Sequence, residues 1–134
     1  MEEKELQKKV ITYKILEARL DSLLKQRDAI IKEIMELRST IESIEAMEKA
    51  DKLIFSLGSN AYATGKILEK EKIIVEIGAG IALEKNRKEG EKFLKKRIDE
   101  LNSALKNIEE ESVRISQNIN LLSSEIQELT KKAG

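Results

Sequence analysis

Apolar residues recur at alternating steps of three and four along two stretches of this chain. The first runs Tyr13, Leu16, Leu20, Leu23, Ile30, Ile34, Leu37, Ile41 and Ile44, with Arg27 at its one polar break. The second runs Leu94, Ile98, Leu101, Leu105, Ile108, Ile115, Ile119, Leu122, Ile126 and Leu129, with Ser112 at its break. A 3,4 spacing held this long predicts coiled-coil seams rather than ordinary amphipathic helices. Helix 1 is predicted over about residues 4–49 and helix 2 over about 87–132. By helical rise, the first would be roughly 70 Å long.

Between the seams the period falls to two, and glycines mark the turns. Residues 53–57 form a strand before Gly58-Ser59-Asn60, and 61–64 continue past Gly65 toward Ile67. Residues 72–77 form a strand before Gly78-Ala79-Gly80, and 81–84 return. Two β-hairpins are predicted, joined by Leu68-Glu69-Lys70-Glu71. Asn86 stands three places before Glu89, the spacing of a capping box with asparagine as the cap, so helix 2 should start just after it. Residues 1–134 then read as one domain of α+β class: a long antiparallel two-helix coiled coil with two central hairpins.

Doubling the chain back sets Ile41 near Ile98, Ile34 near Leu105 and Leu20 near Ile119. That register puts Arg27 in one layer with Ser112. There the guanidinium can bond the serine hydroxyl, reach Glu109 or Glu111, or swing into solvent.

Composition sharpens this picture. Aromatic residues are 3% and tryptophan is absent, so a thick globular core is not expected. Charged residues are 37% with a net charge of zero. That mixture suits a solvated coiled-coil exterior and gives nucleic acid no electrostatic footprint. No cysteine and no proline occur, so no disulfide forms and both helices can run unbroken. No eighteen-residue apolar window and no secretory signal are present. We expect no membrane partner and a cytoplasmic location.

Catalytic chemistry finds no footing. Without histidine or cysteine the commonest general base and metal ligands are missing. Gly78-Ala79-Gly80 begins like a dinucleotide fingerprint, but Leu83 stands at the third glycine and a strand follows. Gly65-Lys66 fails as a phosphate loop, with Asn60 at the first glycine and Ile67 where a magnesium-binding hydroxyl belongs. No catalytic residue, metal site or cofactor is expected.

Two groups of apolar residues remain without a partner. Four short strands cannot stand alone in water, and helices running away from them cannot cover both faces. Leu53, Phe55, Leu57, Ile73, Val75, Ile77, Ile81 and Leu83 are therefore candidates for an interface between subunits. Val10, Ile11, Ile15, Leu24, Leu121 and Leu6 lie off the seams toward the chain ends. They either thicken the coiled-coil core or form a sticky surface.

The order helix, two hairpins, helix resembles the α-type subunits of archaeal prefoldin. Two segments carry the likeness: Leu53-Ile54-Phe55-Ser56-Leu57-Gly58-Ser59-Asn60-Ala61-Tyr62, and the run from Lys72 through Gly78-Ala79-Gly80 to Glu84-Lys85. Phe55-Ser56 departs from the Val-Pro often found there. The resemblance implies hairpins that close an intersubunit β-barrel, two α-type subunits joined by four β-type subunits, and paired helices hanging from that platform. It implies an ATP-independent holdase that grips non-native proteins at the helix ends and passes them to a group II chaperonin. The implied grip is Leu6, Val10, Ile11, Tyr13, Ile15, Leu121, Leu122, Ile126 and Leu129. A purely structural or filament-forming coiled coil is the alternative. An RNA-binding arm is less suited, because acidic and basic residues offset each other at the chain ends.

Overall fold

In the computed structural model, which describes residues 2–133, the chain runs α1 (Glu2–Lys49), β1 (Leu53–Gly58), β2 (Ala61–Gly65), β3 (Lys72–Gly78), β4 (Ile81–Asn86) and α2 (Arg87–Ala133). Glu2, Glu3 and Glu5 open α1, and Lys131 and Lys132 close α2. Both placements favour the helix dipole. The Lys88 and Glu89 amides donate to Asn86 Oδ1 at 2.9 and 3.2 Å, so asparagine caps α2.

The chain divides into two units, Met1–Lys32 with Leu101–Gly134, and Glu33–Glu100. In the first, Leu23 is 1% exposed and packs with buried Ile108 and Ile115, flanked by Leu16, Leu20, Ile30 and Ile119. Ser112 lies one turn from both isoleucines on the same face of α2, so it sits beside Leu23. Arg19 Nη2 reaches Glu111 Oε1 at 3.0 Å, which agrees with that alignment. This corrects the expected layer of Arg27 with Ser112. The Arg27 guanidinium turns to its neighbour Asp28 at 3.1 Å. Ser112 Oγ is buried without a hydrogen bond. A 3,4 pattern looks alike after a shift along the seam, so the spacing alone could not fix this register.

The second unit holds the hairpins. Its buried apolar residues are Ile34, Ile41, Ile44 and Met47 of α1, Val75 of β3, and Leu94 and Ile98 of α2. Arg97 Nη2 bonds Glu33 Oε1 at 2.8 Å, bringing the two helices side by side within this unit. β1 pairs antiparallel with β2, and β3 with β4, as separate two-stranded sheets.

The hairpins are copies of one design twenty residues apart: Ile54-Phe55-Ser56-Leu57-Gly58 aligns with Ile74-Val75-Glu76-Ile77-Gly78. Each register slips at the same place, between Ser56 and Gly58 and between Glu76 and Gly78. Each turn holds three consecutive positive φ values: 100°, 38° and 65° over Gly58-Ser59-Asn60, and 115°, 51° and 74° over Gly78-Ala79-Gly80. The glycine opening each turn takes the value least tolerable to a side chain. Asparagine and alanine accept milder left-handed geometry in these bulged turns.

Candidate functional site

Where α1 begins and α2 finishes, Lys9 Nζ meets Glu125 Oε2 at 2.5 Å. That contact, led by its hydrogen bond, raises the lysine pKa above its ordinary value. The pair links α1 to α2 near these ends. Ile11, Ile15 and Leu121 are 58%, 62% and 60% exposed. Leu6, Val10, Tyr13, Leu122, Ile126 and Leu129 are half-buried. The nine candidate residues thus divide by environment. Three present bare apolar surface, and six are partly covered along or beside the seam. Leu24 is likewise half-buried. A shallow groove of about 290 Å³ opens beside the seam, lined by Val10, Tyr13 and Ile126 with polar Lys14, Glu17, Ser123 and Gln127 on its rim.

The strand candidates divide as well. Alternation puts Ile73, Val75, Ile77, Ile81 and Leu83 on one face of the second hairpin. The root of that face is covered by its own chain. Val75 is 8% exposed, and Ile73 is half-buried. Gly90, in the first turn of α2, explains how. A Cβ there would stand 2.8 Å from Ile73 Cγ1 and closer still to its Cδ1. Glycine lets α2 take the Ile73 side chain this close; a larger residue would have to displace it. Lys85 Nζ adds a contact 5.5 Å from the Phe93 ring centroid. Toward the turn, Ile77, Ile81 and Leu83 stay exposed. On the first hairpin Leu53 is half-buried, Phe55 is 40% exposed and Leu57 is fully on the surface.

An apolar groove of about 370 Å³ lies between α1 and β1, lined by Ile44, Ala46, Met47, Leu53, Phe55 and Ile67 among others. Sequence reasoning passed over Ile54, Tyr62, Leu68 and Ile74, all exposed. They sit on the opposite strand faces or in the linker. Runs such as Ile73-Ile74-Val75 were their signal.

Arg87 was also missed as more than a cap neighbour. Its guanidinium is buried, with Nη1 2.6 Å from Glu48 Oε2 and Nη2 3.9 Å from Glu71 Oε1. Its amide donates to Glu71 O at 2.7 Å. The hydrogen bond from Arg87, then its charge, lowers the Glu48 pKa below the ordinary 4.5. Among the described residues no group of three or more acidic side chains could hold a metal ion. Among the same residues no helix is long and apolar enough to cross a membrane.

The model of the family described as "Prefoldin subunit" matches residues 16–132. This chain belongs to the prefoldin subunit family. Prefoldin subunit alpha of Pyrococcus horikoshii is 26% identical over 133 residues, covering 96% of this chain and 90% of that protein. Prefoldin subunit alpha of Archaeoglobus fulgidus is 30% identical over 129 residues, covering 87% and 93%. The filamentous prefoldin of Methanocaldococcus jannaschii shares the fold with a TM-score of 0.72 at 20% identity, over 89% of this chain and 98% of that one. The prefoldin beta subunit of Thermococcus strain KS-1 does so at 0.64 and 16%, over 92% and 90%. Two long helices enclosing two antiparallel hairpins in sequence are thus a prefoldin arrangement, that of a chaperone subunit.

Proposed function

We propose that this chain is the α-type subunit of an ATP-independent holdase that captures non-native proteins at the ends of its helices and delivers them to a group II chaperonin. The observation that carries this reading is the bare apolar surface of Ile11, Ile15 and Leu121 where α1 begins and α2 finishes. Holding an unfolded chain needs only reversible apolar contact, and such contact requires no nucleotide and no catalytic group. Relatives named prefoldin subunit alpha along almost the whole chain support the α-type assignment.

Residues 1–134 act as one prefoldin-like domain in the cytoplasm. Its exposed strand residues, Phe55, Leu57, Ile77, Ile81 and Leu83, meet β-type subunits, and two α-type with four β-type chains close the barrel. Two-stranded sheets with an uncovered apolar face are marginal alone, which supports assembly as a part of folding. A filament-forming reading draws support from the fold likeness to the filamentous prefoldin. Light scattering separates the two. The assembled protein should suppress aggregation of a chemically unfolded client without ATP. A filament former with no holding activity would leave the scattering curve unchanged.

A further inference from the structure

We propose that Arg87 is the positioning residue for assembly, setting the second hairpin in its partner-ready geometry; this rests on the reading that the hairpins are the assembly surface. Among the described residues Arg87 is the one charged residue that is buried, at 7% exposure. It joins three elements of one unit. Its side chain reaches Glu48 near the end of α1, its amide holds Glu71 just before β3, and its own position starts α2. Lys70 adds a second tie, from Nζ to Ala50 O at 3.1 Å and to Asp51 at 3.5 Å. The last two residues of the linker between the hairpins are thereby pinned to the end of α1.

The arrangement is lopsided. The arginine is buried, but Glu48 is 54% exposed and Glu71 82%. Arg87 Nε is buried with no partner at all. A guanidinium taken out of water on these terms adds little net stability, since desolvation offsets its attraction to half-solvated carboxylates. What the fork does supply is direction. Its Nη1 and Nη2, fixed in one rigid plane, face Glu48 of α1 and Glu71 of the linker at 2.6 and 3.9 Å, whereas an ammonium on a flexible stem fixes no such direction. Fixing the root of the second hairpin before a partner arrives lowers the ordering cost of association. Arg87 therefore acts on assembly more than on stability.

This asymmetry makes the test sharp. Arg87→Met keeps much of the buried stem and leaves two carboxylates that water can solvate. Its affinity for a β-type subunit that assembles with the wild-type chain should fall at least tenfold in sedimentation, with the helical circular dichroism retained. Arg87→Lys should recover part of the loss. Glu71→Gln, on a surface residue, should weaken assembly in the same direction. Amide exchange should rise at Arg87 and the root of the second hairpin and stay unchanged along the Leu23–Ile115 seam. Wild-type affinity in Arg87→Met overturns the proposal. So does an affinity loss that appears only with helix melting while Glu71→Gln binds normally. Ile77→Asp checks the underlying reading separately: normal assembly by that variant would remove the hairpins as the interface, whatever Arg87 does.

Discussion

The two hairpins share a strand pattern, a register slip and a turn geometry, yet their surroundings differ. Val75 in the second is 8% exposed, while its counterpart Phe55 in the first is 40% exposed. Gly90 lets α2 lie directly on Ile73, and Arg87 ties the root of β3 to α1. The first hairpin has no such bolt. Its close approach is internal, where a Cβ on Gly65 would stand 3.2 Å from the Phe55 ring edge. One design thus serves twice, once anchored to its own helix and once left with its apolar face largely open. Strand sequence decides what a hairpin offers, and the helix beside it decides how much stays available.

The largest break in this comparison should come from Gly90. Gly90→Ala drives a methyl group into the Ile73 side chain, and overpacking of about 1–3 kcal/mol should outweigh the roughly 1 kcal/mol of helix propensity that alanine gains. Gly65→Ala meets only the edge of a ring that can give by a few tenths of an ångström, so it should cost clearly less. Denaturant melts of the two variants would show the order. Equal losses would mean that α2 does not anchor the second hairpin.

Aspartate at repeat-related positions should separate folding from assembly. Val75→Asp puts a charge where its own chain already excludes water, so the second hairpin should lose amide protection even in the unassembled chain. Phe55→Asp and Ile77→Asp place the charge at partly exposed sites. They should leave local protection nearly intact and abolish assembly with a β-type subunit. Hydrogen exchange and sedimentation on the same samples would decide this. Similar exchange in all three variants would erase the distinction between covered and open faces.

Acid gives a milder test of the anchor. The folded Glu48 pKa lies below 4.5, so its contribution is complete above that value and is lost as pH falls through the depressed one. Arg87 stays charged throughout. The hairpin unit should therefore loosen on acidification, and Glu48→Gln should flatten that part of the pH profile. The smallest effect belongs to Ser112→Ala. Its buried hydroxyl has no partner, so its removal should be neutral or slightly stabilising in a thermal melt.

These contrasts also show what the sequence could reveal. The seams, both hairpins and the Asn86 cap rest on local spacing, and local spacing is written directly in residue order. The seam register was not, because successive heptads look alike until Leu23 is seen against Ile108 and Ile115. Arg87 and Gly90 act on residues distant in sequence, and neither breaks a pattern loudly enough to stand out. A glycine inside a helical run was the nearest signal, since it costs about 1 kcal/mol there unless close packing requires it. Alternation named the apolar strand face but could not say that α2 would cover Val75 and leave Leu57 open.

The grip at the helix ends is tested most directly by surface substitutions that spare the seam. Ile11→Ser, Ile15→Ser and Leu121→Ser together remove three exposed side chains and touch neither the Lys9–Glu125 pair nor the buried core. Matching changes should be made at the helix ends of the β-type subunits, because several ends act on one client and avidity softens a partial loss. The account predicts an oligomer of full size that no longer suppresses aggregation of an unfolded client in light scattering, with intermediate protection when only this chain is altered. Full protection by the assembly with every end altered would contradict it and move client binding to the hairpins or the helix sides.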